Sequence, residues 1–411
     1  MVVGDSLWRV RDLRLVVLGR AISLLGDELA LVALLLRAEA GPGGTWPVVA
    51  VLLAGGLPLV LLAPAVGRLV DRVDSRRLLV VSSCTQLTCC LALAGVRAEP
   101  GVLALVAALG AGQAVNGATW QALLPSIVGV ERLPAALGMS QATSTVAGIA
   151  APVLGGVLTG LVGARLPLLL DAASFAAITL VALAVSTRRG NRSGRAVDPR
   201  GGWAIVRADP MLLPLVLMLA AFILLGSMVN VVEVFLVRET LHASATWYGV
   251  VGGGWGLGLL TGALLGSRFR GQPQLLRVSL GSAAGLSLSL LGMGLAPRVG
   301  WLLPAVLAGG MCNGLLNLAI GSLVGIRSAE AVRGRVAAIV GGLASGAQVG
   351  ALLVGGLLAA VLAPRQIFVL GGLLGLLAPL ALGRRLLAVP VRPVAPPAEP
   401  GYGAPLEGGY L

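Results

Sequence analysis

The chain has 411 residues, 57% of them hydrophobic and only 11% charged, with a mean hydropathy of +0.95. A water-soluble globule of this length needs far more polar surface, so a soluble enzyme or binding domain is excluded and an all-α polytopic membrane protein is implied. The net charge of +13 comes from arginines set between apolar runs, with no lysine, and there it orients the chain against lipid and gives no footprint for nucleic acid.

The amino end, M-V-V-G-D-S-L-W-R-V-R-D-L-R, lacks the small-residue cleavage site of a signal peptide and leads straight into a full-length apolar run. Each run that follows is near the roughly 20 residues needed to cross a bilayer. They fall at 15–37, 46–66, 78–96, 100–127, 134–161 and 166–186, then at 211–237, 246–267, 274–295, 300–326, 334–362 and 366–389. Twelve transmembrane helices are therefore expected.

Between the second and third runs stands G-R-L-V-D-R-V-D-S-R-R, Gly67 to Arg77, too short and too charged to be anything but a tight connection. Its arginines Arg68, Arg72, Arg76 and Arg77 place it in the cytoplasm by the positive-inside rule, which makes both termini cytoplasmic. The remaining arginines test that frame. Only Arg37, Arg97, Arg165, Arg238, Arg298 and Arg365 fall outside, one per outer connection, and the other 24 of the 30 fall inside. A frame wrong by one helix would scramble this split.

The stretch S-T-R-R-G-N-R-S-G-R-A-V-D-P-R-G-G-W separates two halves. The expected organisation is a six-helix bundle over 1–186, a cytoplasmic linker over 187–210, a second six-helix bundle over 211–389 and a disordered Pro/Gly-rich cytoplasmic tail over 390–411. At an offset of about 200 residues Arg37 and Trp46 answer Arg238 and Trp247, and Gly155-Gly156 answers Gly355-Gly356, which points to an internal duplication.

Cys84, Cys89, Cys90 and Cys312 all lie inside apolar runs and read as small buried hydrophobes, and His242 stands alone, so no disulfide, metal or cofactor is implied. A charge kept inside a span costs on the order of 3 kcal/mol, which makes each one a functional suspect. Asp27 and Glu28 sit mid-run in the first span, Asp171 in the outer part of the sixth and Glu233 in the outer part of the seventh. Neighbours on a helix point about 100° apart, so Asp27 and Glu28 face different walls. A carboxylate in a dry cavity takes up a proton more readily, which is the chemistry a proton-coupled carrier needs. Asp27 and Glu233 are the leading proton or cation sites, with a structural hydrogen bond as the alternative role; for Asp171 a helix-start cap or an outer gate contact is expected. Gln113, Asn116 and Asn230, with Gln141, Asn313 and Asn317, either line a substrate cavity or bridge helices. Trp120 and Trp255 offer aromatic surface to a bulky ligand, and Trp46, Trp247 and Trp301 read as interfacial belt residues.

Two stretches carry a family resemblance. Gly67, Leu69, Asp71, Arg72, Arg76 and Arg77 resemble the loop between helices 2 and 3 of the major facilitator superfamily, G-x-L-a-D-R-x-G-R-[KR], with Asp74 and Ser75 in place of the usual Gly and Arg. In the fifth span Gly138, Ala147, Ala151, Pro152, Gly155 and Gly156 are similar to the exporter motif G-x8-G-x3-G-P-x2-G-G, with alanine at two of its glycines. Small residues there allow close packing on helix 8 or 11, and Pro152 bends the helix. L-G-R-A-I-S-L-L-G-D, L-L-L-D-A-A-S-F and R-G-R-V resemble the drug and macrolide efflux branch, whereas the helix 4 arginine of the related proton/drug antiporters is missing.

The resemblance implies two pseudo-symmetric six-helix bundles, a bacterial-type inner-membrane location and drug resistance by export of a small amphipathic molecule. Export would run by proton antiport, through a chain that acts as a monomer in the lipid bilayer. It also implies a cytoplasmic gate network of Asp71, Arg72, Arg76 and Arg77 with Arg333 and Arg335. No G-x4-G-K-[ST] loop is present, so the chain itself holds no nucleotide-hydrolysing site and is not read as an enzyme. An importer or uniporter on the same fold, and a non-transporting scaffold or sensor, are the alternatives.

Overall fold

A computed structural model describes residues 9–129, 132–187, 202–328 and 330–387, and all its regular elements are helical. They are α1 (Arg11–Glu39), α2 (Trp46–Leu61), α3 (Ala63–Arg72), α4 (Ser75–Leu93), α5 (Glu99–Val128), α6 (Leu133–Val162) and α7 (Arg165–Ala184). The short α8 (Gly202–Ala208) precedes α9 (Leu212–Phe235), which a π-helical turn extends over Leu236–Thr240. α10 (Ala245–Gly266), α11 (Gln272–Gly294), α12 (Leu302–Arg327), α13 (Glu330–Ala359) and α14 (Pro364–Leu387) complete the chain. The predicted tail, most of the predicted linker and the side chain of Arg333 lie outside the described residues.

Among the described residues nine helices are long and apolar enough to cross a membrane, ten if the bent pair α2–α3 counts as one span. α1 and α4 are 29 and 19 residues long, but eight charges in the first and several hydroxyls, Gln86 and two arginines in the second lower their apolarity. Leu61, Leu161, Val361 and Leu380 are each more than two-thirds exposed, which is the surface that lipid covers.

One expectation is corrected. The second apolar run is not a single helix ending at Val66, and Gly67 to Arg77 is not wholly a connection. The chain breaks after Leu61 and turns by 53° into α3, which carries Gly67 through Arg72 in helical form. Pro58 and Pro64 flank the break, and each removes a backbone donor and crowds the preceding turn. Only Val73 and Asp74 remain between α3 and α4, and Asp74 caps α4 by accepting the Arg77 N–H at 3.1 Å.

α1 packs on α6 and α7, α4 on α5 and α7, and α2 on α5; separately, α12 packs on α10 and α11, α14 on α11 and α9, and α13 on α9. These two groups meet through α6 against α10 and α13 against α2. Both seams are built on glycine pairs that do the same two jobs. A Cβ on Gly155 would meet Val32 of α1 at 3.1 Å, within its own group, whereas one on Gly156 would meet the Ala245 carbonyl at 2.6 Å and Gly249 at 2.9 Å, across the seam. Likewise Gly355 abuts Met228 of α9 in its own group and Gly356 abuts Val49 of α2 across it. These approaches lie at the end of the bundle that carries Glu39. Toward the opposite end, which carries Asp209, Gly138, Gly341, Gly342 and Gly346 have nothing within 4 Å of where a side chain would start.

Gly156→Leu should therefore force α6 and α10 apart by roughly 1 Å at the crossing, because backbone atoms cannot yield as a side-chain end does. Spin labels on exposed positions 161 and 244 should show a lengthened distance; an unchanged one would mean that this crossing does not set the seam.

Candidate functional site

The deepest polar cluster lies within the first group of helices. Asp171, in the second turn of α7, is 1% exposed, and its carboxylate accepts the Cys90 thiol of α4 at 3.1 Å and the Ser174 hydroxyl at 3.1 Å. Asp27 of α1 accepts a hydrogen bond from Gln113 of α5 and lies within electrostatic reach of Asp171, Glu28 and Arg20. Gly26 is what lets α1 come this close: a Cβ there would sit 2.5 Å from both Asp171 Oδ1 and Ser174 Oγ. Asp27, Glu28, Gln113 and Asp171 line one cavity of about 240 Å³.

Glu28, one residue on and about 100° around the helix, borders the same cavity and not a separate wall. Together with Glu233 of α9 it lies within electrostatic reach of the phenol of Tyr248 on α10, so acidic side chains from both groups converge on one aromatic residue. Of the two leading sites, Asp27 stands in space beside Asp171, while Glu233 shares Tyr248 with Glu28. The helix-start or gate role expected of Asp171 does not match its surroundings, which are those of a buried carboxylate facing a second one.

The other predicted cavity residues separate. Asn116 is buried in a bridge from α5 to α4, accepting the Ser82 hydroxyl at 2.8 Å and donating to Gln86 Oε1 at 2.5 Å and Ser83 Oγ at 3.3 Å. Asn230 is exposed on α9, and Asn317 is exposed with its amide on Asn313. Trp120 lines a cavity of about 490 Å³ toward the Asp209 end with Arg20, Gln121 and Gln141. Trp255 packs against Gly309. Of the fifth-span motif, on α6, Pro152 and Gly156 form the seam with α10, Gly155 packs on α1 within its own group, and Gly138 faces open space.

At the Asp209 end each group is tied to itself. Asp12, at the start of α1, accepts from the N–H groups of Ser186 and Thr187 and from the Thr187 hydroxyl at 2.7–3.1 Å; burial opposes its charge, but these donors outweigh burial and hold it below the usual carboxylate value. Arg76 donates to the Val185 carbonyl at 2.6 Å, while Arg72 and Arg77 are exposed, Asp71 is partly exposed in α3 and Gly67 faces open space. In the second group Arg327, at the end of α12, meets Asp209 in a buried ion pair at 3.0 Å.

At the Glu39 end a bond crosses the seam. Arg37 donates to the carbonyls of Leu93 and Val96 within the first group. Its counterpart Arg238 donates to Ala243 at 2.8 Å and pairs with Glu39 at 3.5 Å, joining the groups. Glu39 lies just beyond the predicted span. Burial raises its carboxyl above the ordinary glutamate value, helped by Glu239 and only partly offset by Arg238. The sign follows from linkage: the closed seam binds a proton more readily than an open, solvated Glu39 does, so acid favours closure. In a variant with native cysteines removed, a cysteine at Thr246 should label more slowly as pH falls from about 7 to about 5, and Glu39→Gln should flatten that dependence. Faster labelling in acid would reverse the assignment.

Cys90, read from sequence only as a small buried hydrophobe, is here a donor to Asp171, and Tyr248 and the pairs Glu39–Arg238 and Asp209–Arg327 carry no such reading in the sequence. Asp209 had a local signal, an Asp-Pro before an apolar run; it caps α9 through the N–H groups of Met211 and Leu212. The others depend on helices far apart in the chain.

Long apolar helices enclosing a few carboxylates, with two groups meeting along glycine seams, define a multi-pass membrane transporter. A sequence model described as the Major Facilitator Superfamily matches residues 16–343, and the chain belongs to that family. Macrolide efflux protein A of Streptococcus pyogenes is 22% identical over 376 residues, covering 87% of this chain and 91% of that protein. Among solved structures, the nucleoside transporter NupG aligns with a TM-score of 0.71 at 11% identity over 91% of this chain and 99% of its own. A bacterial homologue of the iron transporter ferroportin, in an inward-facing state, aligns with a TM-score of 0.67 at 19% identity over 92% and 98%. These likenesses establish the shared fold.

Proposed function

We propose that this protein is a proton-coupled exporter of a small amphipathic molecule, with twelve membrane-spanning helices in two bundles, 1–186 and 211–389, and with both termini in the cytoplasm of a bacterial-type cell. The arginine distribution supports that orientation, which makes the Glu39 end the outer one. The observation that carries the coupling is the juxtaposition of Asp27 and Asp171, two carboxylates sharing one small cavity at depth. Bare charges so close repel each other in a medium of low dielectric, and a proton relieves the repulsion. The outer seam is shut by Glu39–Arg238 and Gly156–Gly249, and the groups part toward the inner end, so this conformation is the one that would load substrate from inside. The macrolide efflux relative supports the direction and suggests the first substrate to try.

The test is expression in a drug-sensitive bacterial host lacking its own pumps. Raised tolerance to erythromycin, with raised accumulation once an uncoupler collapses the proton gradient, is the expected result. Solute movement that persists without a gradient would favour an importer or uniporter, and no movement of any compound tried would favour a scaffold.

A further inference from the structure

A cavity of about 970 Å³ opens at the outer end of the first bundle, rimmed by Arg37, Arg97, Glu99 and Arg165. It reaches inward to Leu34 of α1 and Val51 of α2, and these two side chains also line the small cavity that holds Asp27 and Asp171. They are the wall between the two cavities. Both are aliphatic and buried, 5% and 4% exposed, and Leu34 stands two turns of helix, about 10 Å, above Asp27. Every lining residue of both cavities comes from the first bundle; none comes from beyond Asp171. The space between the bundles at this end is a second cavity, with Glu39, Thr159 and Arg238 in its lining; it borders the large one at Arg37, Ala40, Gly41 and Ala164 but touches neither Leu34, Val51 nor any lining residue of the acidic cavity.

We propose that protons reach the Asp27–Asp171 pair through the interior of the first bundle, past a Leu34–Val51 gate, by a route separate from the substrate path between the bundles. The inference rests on the proton-coupled reading above. Two aliphatic side chains across a narrow passage keep water out until they part, the device by which hydrophobic constrictions gate channels. A proton that crosses binds a carboxylate oxygen of Asp27 or Asp171. The groups around that pair are Arg20 and Glu28 on α1, Gln113 on α5, Cys90 on α4 and Ser174 on α7, and none is a second fixed cation that would bar it. The acidic pair can then be loaded from outside while the seam is shut, and the substrate cavity need not open outward first.

The test separates the two routes in vesicles of phosphatidylethanolamine and phosphatidylglycerol holding a trapped pH dye. Val51→Ser, which wets the wall, should raise proton leak under an imposed pH gradient by about tenfold. Adding Asp27→Asn should return the leak to the background. A Cβ on Gly160 would lie 3.5 Å from the Ala245 Cβ, within disulfide range, so Gly160→Cys with Ala245→Cys locks the seam when oxidised. With the lock on, erythromycin flux should stop while the Val51→Ser leak continues, and reduction should restore the flux. A leak that stops with the lock means protons use the seam, and a leak no greater than wild type means the wall is not the gate; either overturns the inference. Val51→Trp is the complementary variant: it should slow proton-driven erythromycin flux about tenfold and leave gradient-free erythromycin exchange unchanged, and equal slowing of both counts against the gate. Because the leak is read without substrate, failure of the unlocked wild type to move erythromycin counts only against the proposed function.

Discussion

Asp27→Asn and Asp171→Asn should each lower pH-driven efflux by more than about tenfold while leaving the amount of folded protein in the membrane unchanged, since a carboxylate kept at depth is retained for what its charge does. The expectation comes from what surrounds the pair. Asparagine has the shape of aspartate, so the close approach of α1 to α7 at Gly26 is kept. At position 171 the amide oxygen still accepts from one of the two donors that Asp171 holds on separate oxygens, Cys90 or Ser174, and Ser174 keeps its bond to the backbone carbonyl of residue 171; at position 27 the amide oxygen still accepts from Gln113. What is lost is the site that changes charge. Gradient-free exchange of erythromycin should survive both changes, because it requires the bundles to rock without a net proton transfer. Asn116→Ala is the contrasting control: it breaks the hydrogen bonds to Ser82, Ser83 and Gln86 and should lower thermal stability without selectively removing the gradient dependence. Uncoupler-sensitive efflux at the wild-type rate in either aspartate variant would remove the pair from the coupling mechanism.

The contrast between these residues shows what a sequence of this kind discloses. Length and apolarity mark a span because no unpaired backbone survives in lipid, so helix bounds were readable to within a few residues nearly everywhere. The miss at Leu62 came where Pro58 and Pro64 interrupt an unbroken apolar run: hydropathy does not see a bend, although the prolines announce one. Charges at depth were equally visible, since each is an anomaly against its neighbours. Their partners were not. Asp27 and Asp171 are 144 positions apart, and only the crossing of α1 on α7 at Gly26 makes them a pair. Asn116 carries the same sequence signal as Gln113, yet one closes a helix-to-helix bridge and the other lines the acidic cavity. The glycine pairs at 155–156 and 355–356 were legible as a repeat. That each pair devotes one glycine to its own group of helices and one to the other depends on how α6 crosses α1 and α10 and α13 crosses α9 and α2, which local sequence does not encode.

Arg327→Ala should be the most damaging change to the fold among those at the helix ends, costing about 3–5 kcal/mol, the usual penalty for removing one member of a buried ion pair. The side chains of Arg327 and Asp209 are 4% and 7% exposed, so water cannot replace the missing partner. Asp209 also holds the first turn of α9 through Met211 and Leu212, and the same carboxylate thereby ties the end of α12 to the beginning of the second bundle. Asp209→Asn should cost less, because an amide oxygen still caps the helix and accepts one guanidinium N–H. The pH dependence distinguishes this pair from simple packing. Burial alone would raise the Asp209 carboxyl, but the Arg327 guanidinium and the two backbone N–H groups outweigh it and hold the group below its ordinary value. With the folded value depressed, the stabilisation is complete above the unfolded carboxylate range, near 4, and is lost as pH falls through the lower folded value. Thermal unfolding of the detergent-solubilised protein should therefore show Arg327→Ala well below wild type at neutral pH and approaching it in strong acid. A deficit of the same size at every pH would mean that Arg327 contributes through the packing of its aliphatic stem and not through its charge.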